Sequence, residues 1–466
     1  MSAPGQARDR VQPARRVAFD VIRAVSDSDA YANLLLPVLL ERSGLHDADA
    51  RLATELAYGT LRRQGYYDRV IELAAGRDVA RIDPPILDVL RLGVHQILSM
   101  RVAQHAAVDE AVSLARLAGS RSSTGFVNGV LRTITRTSAD EWRRRVVGEQ
   151  STADDRLAAE SSHPAWIVRA FRSALEAEGR GAEIEELLDA DNAAPRVSLV
   201  ALPGLAAPTE LTGATPGALS PYSAVSDGGD PARWPAVREG RVRVQDEGSQ
   251  LAALALAGSR PIDAGERWLD LCAGPGGKAA LLAAVAEIGG ATLVANEILP
   301  ARAALVRGAL SVFSDPPVVL EEDGRDIGRR MLGSFDRILL DAPCSGLGAL
   351  RRRPEARWRK QPKDIPELTA LQVALIDSAA AALVPGGILA YVTCSPHRAE
   401  TVAVVEHAVR TMGLETLDTP GVLSPILAQP ADLGTASHVQ LWPHVHGTDA
   451  MFIALLRKPA PEDAPR

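Results

Sequence analysis

From Arg241 onward the chain alternates short β-rich runs with helical stretches, and that alternation narrows the possible folds more than any other feature of the sequence. WLDLC, ATLVANE, PVVLEED, DRILLDA and GILAYVTC read as strands, while KAALLAAVAE, PARAALVRGAL and ALIDSAAAAL read as the helices between them. Strands joined through helices pair side by side in one direction, so the pattern predicts a mostly parallel, doubly wound α/β sheet. Ligands of such sheets bind outside the carboxyl ends of the strands, which makes the residues closing each run the first candidates for function.

The segment before Thr137 has another texture. ARRVAFDVIRAV, ANLLLPVLLERS, DARLATELAYGTLRRQGYYDRVIELAA, DPPILDVLRLGVHQILSM, VDEAVSLARLAG and TGFVNGVLRTITR each repeat apolar residues at helical spacing, with no strand signal, and predict six helices of an all-α domain. Asp83 reads as the N-cap before Pro84, and Asp109 and Glu110 as early acids matched to a helix dipole. Small polar residues over 151–162 read as a linker. Beyond it, AWIVRAFRSALEAEG and AEIEELLDADN predict helices and RVSLVAL a strand, ahead of a Pro/Gly/Ser-rich stretch, 203–235, with no legible form. The predicted organisation is an all-α domain over 1–140, a linker over 141–162, a small α+β middle domain over 163–240 and an α/β domain over 241–460.

Three cysteines, Cys272, Cys344 and Cys394, are too few and too scattered for a disulfide scaffold, and no CxxC pair suggests zinc. The expectation is therefore no metal and a reducing, cytoplasmic setting. No apolar run approaches the ~18 residues that span a bilayer, so no membrane partner is expected. The net charge of −7 argues at first against a nucleic-acid partner, but it is unevenly spread: residues 1–150 carry +3, 151–240 carry −7 and 241–466 carry −3. Within the last segment RRRPEARWRKQPK, Arg351 to Lys363, holds seven cations and one acid. Such a run is commonly a solvated loop; beside a strand-end motif, Arg351, Arg352 and Arg353 read as phosphate contacts.

RWLDLCAGPGGKAALLAAVAE carries the strongest local signal: an apolar strand, a loop with Gly274, Gly276 and Gly277, then a helix. Glycines let backbone turn tightly and approach a ligand, and helix N–H groups supply donors. Glu297 closes the next strand, where an acid suits the two hydroxyls of a ribose. Loop and acid without GxGxxG favour a single nucleoside such as S-adenosylmethionine over a dinucleotide. Lys278 stands out in a chain of 47 Arg and four Lys, the other three at or beyond residue 360. Either a compact ammonium is required there or the lysine is drift.

The remaining strand ends place Asp323 after the third run, Asp341 and Cys344 after the fourth and Cys394 after the fifth, so all three cysteines fall on the binding edge. A free cysteine is commonly inert core. Two thiols and an acid beside a methyl donor suit methylation at C5 of a pyrimidine: a thiolate added to C6 makes C5 nucleophilic, and a carboxylic acid at N3 stabilises the charge that develops. The C5 proton must then leave and the thiol be expelled, a step a second cysteine can assist.

With VQDEGSQLAALAL, LDLCAGPGGK, DGR, DAPCSG followed by RRRPEARW, DIPELTALQ and TCSP, the chain from about Arg15 to Lys458 resembles the bacterial ribosomal RNA cytosine-C5 methyltransferases of the Sun/RsmB type, and GFVNGVLR resembles the last helix of their NusB-like domain. The resemblance implies an all-α NusB-like RNA-binding domain ahead of a Rossmann-like S-adenosylmethionine-dependent methyltransferase domain, acting as a monomer on 16S rRNA of the small subunit. It implies a cofactor loop of Cys272, Ala273, Gly274, Pro275, Gly276, Gly277 and Lys278, with Glu297 on the ribose, Asp323 at the adenine end and Asp341 between cofactor and base. Cys394, in TCS, would be the nucleophile, and Cys344, in PCS, the cysteine that promotes product release. The chain departs from the family in CAGPGG for CAAPGG, in Glu297 for Asp, and in GTDAMFIALL, which keeps Asp449 but not the usual DGFF-like pattern.

Three other readings stand beside this one. DNA cytosine-C5 methyltransferases take their nucleophile from a Pro-Cys at the position of Cys344. Another RNA such as tRNA is an alternative substrate. A non-catalytic NusB-like RNA-binding module is an alternative function, set against the full complement of catalytic roles. DAPC in place of an Asp/Asn-Pro-Pro-aromatic motif argues against amino-directed methylation. His444 and His446, one residue apart on an expected strand, read as a surface pair rather than metal ligands.

Overall fold

A computed structural model describes residues 11–28, 30–119 and 121–460. The chain divides into two units. One is drawn from Met1–Arg169, Ile184–Ala193 and Leu350–Arg359, the other from Ala170–Glu183, Ala194–Ala349 and Lys360–Arg466. The stretch expected as a small middle domain is thus shared between the two.

In the first unit the six expected helical stretches become seven helices: Pro13–Asp27, Ala32–Ser43, Asp47–Arg62, Gln64–Ala75, Pro84–Leu98, Gln104–Ala118 and Arg121–Thr135. Their apolar stripes close on a core in which Ile22, Leu56, Tyr67, Leu90 and Leu131 are buried. The long third stretch divides at Arg63, next to the place where Trp358 packs on Gly65. A Cβ on Gly65 would lie 2.3 Å from the Trp358 ring, so only glycine admits the indole. Asp83 does precede the helix that begins with Pro84, but its side chain makes no cap hydrogen bond. Asp109 and Glu110 fall in the second turn of a helix that begins at Gln104, past the dipole's reach, and Glu110 instead accepts from Gln12 N at 3.3 Å.

The expected linker is helical. Ala139–Gly148 starts at Ser138, whose hydroxyl accepts from Glu141 N, and Ala153–Ser161 starts at Thr152, whose hydroxyl accepts from Asp155 N. The small polar residues there cap and coat exposed helices rather than free a loop.

The second unit holds two sheets. The Pro/Gly/Ser-rich stretch supplies two strands, β2 and β3, of a small antiparallel one of β1 (Ser198–Ala201), β2 (Thr215–Pro216), β3 (Ser223–Val225) and β4 (Val242–Val244), in the order β2-β3-β1-β4. The main sheet contains β5 (Arg267–Asp270), β6 (Thr292–Asn296), β7 (Val318–Leu320), β8 (Phe335–Asp341), β9 (Leu383–Thr393), β10 (Glu415–Thr416), β11 (Val439–Gln440) and β12 (Phe452–Arg457). Its order is β10-β12-β9-β8-β5-β6-β7, with β11 also paired to β12. The five strands expected from the sequence are the five parallel ones, and β12 runs antiparallel against β9.

One helix departs from expectation: Pro362–Ala382 is long and apolar enough by composition to cross a membrane. Its buried residues Leu375, Ile376 and Ala379 belong to the core that covers β8 and β9, and it carries Glu367 and Asp377. At the opposite edge of the sheet from the strand ends, fully buried Arg337 bonds Glu266 at 2.8 Å and donates to the carbonyls of Leu256, Ala257, Arg260 and Pro261, which answers the desolvation of a buried charge.

Candidate active site

β5 ends at Asp270 and the chain turns through Cys272 to Gly277 into the helix Gly277–Gly289. Ala273 N donates to Asn296 O at the end of β6, and Gly276, with φ +105°, adopts a backbone that L side chains rarely take. Glu297, buried directly after β6, folds back over the loop: Oε2 accepts from Gly274 N at 3.2 Å and Oε1 from Leu299 N at 3.0 Å. A Cβ on Gly274 would lie 2.2 Å from Glu297 Oε2, so the glycine is what lets this carboxylate reach the backbone. Arg302, which the sequence did not suggest, donates to Gly274 O at 2.5 Å and pairs with Glu297. With about four acceptor positions on a carboxylate, Glu297 keeps capacity for a diol. A tight loop, a helix start and an acid on the neighbouring strand fit a nucleoside cofactor.

Asp323 caps the helix Gly324–Arg330 and pairs with Arg325, which holds its carboxyl below the usual range. Asn296 was also missed: its amide donates to Leu271 O and Glu322 O and accepts from Glu322 N, joining the ends of β5 and β7.

Lys278 Nζ lies 2.8 Å from Asp341 Oδ2 at the end of β8. Burial draws the ammonium toward neutrality, but the charge of Asp341 and its hydrogen bond outweigh that and raise the Lys278 pKa, with a Cys394 thiolate adding to the effect. The lysine therefore has a specific charge partner. Among the described residues neither oxygen of the fully buried Asp270 carboxylate makes a well-aligned hydrogen bond, the Cys272 backbone N–H lying near it. Desolvation, reinforced by Asp341, pushes its pKa up to about 8. An acid closing the first strand was visible in WLDLC, and only its burial marks it out.

The ends of β8 and β9 bring two of the three cysteines together, with Cys344 Sγ 3.5 Å from Cys394 Sγ. The hydrogen bond to Cys394 and burial hold the Cys344 thiol protonated, well above the ordinary cysteine range. Cys272 is not part of the pair; it packs against the core under the loop, and burial raises its thiol too. The segment with the altered pattern backs these thiols. Ala450 N donates to Gly348 O, Gly348 N donates to Cys394 O, and Met451 and Phe452 are buried. Glu400, buried and unsuspected, receives hydrogen bonds from both cysteine loops.

The cationic run does not behave as one surface. Arg357 is fully buried in the helical unit and donates to the carbonyls of Arg62, Ser162 and Asp191, while Arg359 donates to Val25 O and Ala30 O. Of the three arginines expected on phosphate, Arg351 is buried, Arg352 half-buried and Arg353 exposed. His444 and His446 lie on a short helix, Pro443–His446, not a strand, and neither is a free surface residue: His444 bonds Glu183 at 2.9 Å and His446 bonds Asp432 O at 2.7 Å. No cluster of three metal-ligating side chains occurs among the described residues.

Residues 260–457 match the family model of the 16S rRNA methyltransferase RsmB/F, and residues 12–136 match the NusB family. A putative methyltransferase of Mycobacterium tuberculosis is 48% identical over 97% of this chain and 98% of its own. The ribosomal RNA small subunit methyltransferase B of Pseudomonas putida is 32% identical over 95% and 98%. Among solved structures, PH0851 has the same fold over 96% of this chain and 99% of its own, at 23% identity and a TM-score of 0.78.

Proposed function

The chain belongs to the RsmB/F family of 16S rRNA methyltransferases, with a NusB-family domain ahead of the catalytic one, and on that premise we propose that it methylates C5 of a cytidine in small-subunit rRNA through a covalent cysteine adduct. S-adenosylmethionine, when bound, supplies an electrophilic methyl group. The glycine loop and Glu297 hold that cofactor, and Asp323 serves its adenine end.

One observation carries the reading: two thiols 3.5 Å apart at the ends of adjacent strands, next to a Lys278–Asp341 pair. The resemblance in TCS makes Cys394 the nucleophile, and the hydrogen bond to Cys394 together with burial holds Cys344 protonated. Lys278 and a Cys394 thiolate stabilise each other electrostatically. Cys394 adds to C6, and C5 becomes nucleophilic. Asp341, oriented by Lys278, donates a proton from its carboxyl to N3 and so neutralises the negative charge that develops there as C6 is attacked. After methyl transfer a base takes the C5 proton, the electrons of that bond re-form the C5=C6 double bond, and the C6–S bond breaks to release Cys394 as a thiolate, a step that Cys344 assists.

The test replaces each cysteine by alanine and incubates the protein with rRNA and cofactor. Cys394→Ala loses activity and forms no adduct, while Cys344→Ala accumulates a protein–RNA adduct on denaturing gels; the reverse pattern makes Cys344 the nucleophile and overturns the assignment. Bisulfite mapping of rRNA from a strain lacking the protein identifies the cytidine, and methylation lost from tRNA instead would overturn the substrate.

A further inference from the structure

Glu400 takes no part in the chemistry above, yet it gathers the donors around both thiols. It is fully buried. One carboxylate oxygen accepts from Ser345 N at 2.7 Å and Gln372 Nε2 at 3.2 Å, and the other from Ser345 Oγ at 2.5 Å and Ser395 Oγ at 2.7 Å. Ser345 follows Cys344 and Ser395 follows Cys394, so each catalytic loop is tied to this carboxylate one residue beyond its thiol. Gln372 also donates to Pro343 O at 2.8 Å, on the other side of Cys344, and Tyr391 Oη holds the Glu400 backbone carbonyl at 2.7 Å. All these donors are neutral. An ionised carboxylate presents acceptors only, on two oxygens, and so satisfies every one of them; an amide would turn its own NH2 against one pair.

We propose that Glu400 is the positioning residue that sets the distance between the two cysteines. The loops after β8 and β9 also meet through the backbone bonds Ala342 N to Val392 O and Gly348 N to Cys394 O and through the Ser345 and Ser395 hydroxyls, 3.1 Å apart. The carboxylate accepts from both of those hydroxyls, fixes their spacing and keeps Cys344 within reach of the adduct that Cys394 carries. This role rests on the two-thiol reading under Proposed function.

The experiment uses the full chain and two readouts. Without RNA, the protein is equilibrated with oxidised and reduced glutathione, and the Cys344–Cys394 disulfide is quantified by mass spectrometry; two protein thiols and one oxidised glutathione yield one disulfide and two reduced glutathiones, so the balance reports the effective concentration of one thiol at the other. Glu400→Ala lowers that effective concentration tenfold or more, and Glu400→Gln lowers it less, while the alkylation rate of Cys272 stays that of the wild type and shows the fold intact. With RNA in single turnover, Glu400→Ala slows release more than addition, so the adduct persists. An unchanged effective concentration, or equal slowing of both steps, overturns the proposal. If Glu400→Ala does not fold, Ser395→Ala, which removes one hydroxyl link, is held to the same two criteria. A Cys344→Ala protein that forms no adduct would overturn the covalent mechanism instead, while the glutathione readout would still decide the role of Glu400.

Discussion

Lys278 Nζ lies 2.8 Å from Asp341 Oδ2, an ion pair that joins the helix after the glycine loop of β5 to the strand end that leads into Cys344. Its partners are 63 residues apart in the chain. The pair is half-buried, and breaking it on one side leaves a charge without its partner.

Lys278→Met therefore strands Asp341 and lowers methyl transfer by about a hundredfold or more, the range typical of losing a positioned acid–base group. Lys278→Arg does not restore the rate, because a planar fork is a different shape from a compact ammonium. Initial rates with labelled cofactor and rRNA check both.

Asp270 governs a pH dependence of stability. Its pKa is about 8 in the folded protein and about 3.9 in an unfolded chain. Between these values the folded state holds the extra proton, so this group's contribution to stability falls as pH rises from about 4 to about 8 and levels off above that. Asp270→Asn removes the slope. Relative to the wild type the variant gains stability at pH 8 compared with pH 5, by about 2 kcal/mol or more, since one bound proton is worth about 1.4 kcal/mol for each pH step across that window. Urea titrations at the two pH values measure it.

Arg337→Ala removes the buried guanidinium from Glu266, leaving the more exposed Arg260 at 2.6 Å as its cation, strands the carbonyls that Arg337 serves, and destabilises the protein by about 3–5 kcal/mol. Replacing both partners together, as Arg337→Met with Glu266→Gln, costs less than the single change. Denaturant midpoints of the three variants provide the comparison.

Arg353 is exposed and Arg351 buried, so the two should separate in RNA binding. Arg353→Ala reduces the slope of log affinity against log salt by about one unit while leaving the melting temperature unchanged. Arg351→Ala acts first on the melting temperature. Filter binding across a salt series, paired with thermal melts, distinguishes them.

Much of the catalytic unit was legible because it is written in local periodicity. Alternating apolar runs marked the five parallel strands, and the turn residues between β5 and its helix marked the loop. The cysteines could be assigned to one edge because strand ends and sequence position coincide in a parallel sheet. The polar stretch over 151–162 misled for a local reason as well: serine, threonine and aspartate favour both loops and helix starts, and here they cap helices. Arg351 to Lys363 misled for a distant one. The charge of Arg357 gave no sign that carbonyls of residues 62, 162 and 191 would absorb it.

By itself the sequence determined the order of strands and helices, the glycine loop and which strand ends carry acids and thiols, since each depends on hydrogen bonding and side-chain spacing among near neighbours. Only the tertiary structure decided that Cys344 and Cys394 meet at 3.5 Å while Cys272 does not join them, that Asp270 is sealed from water, and that Glu400 ties the two thiol loops together. Those distances follow from which strands lie side by side and what is packed above their ends, and burial then sets the protonation of every group held there.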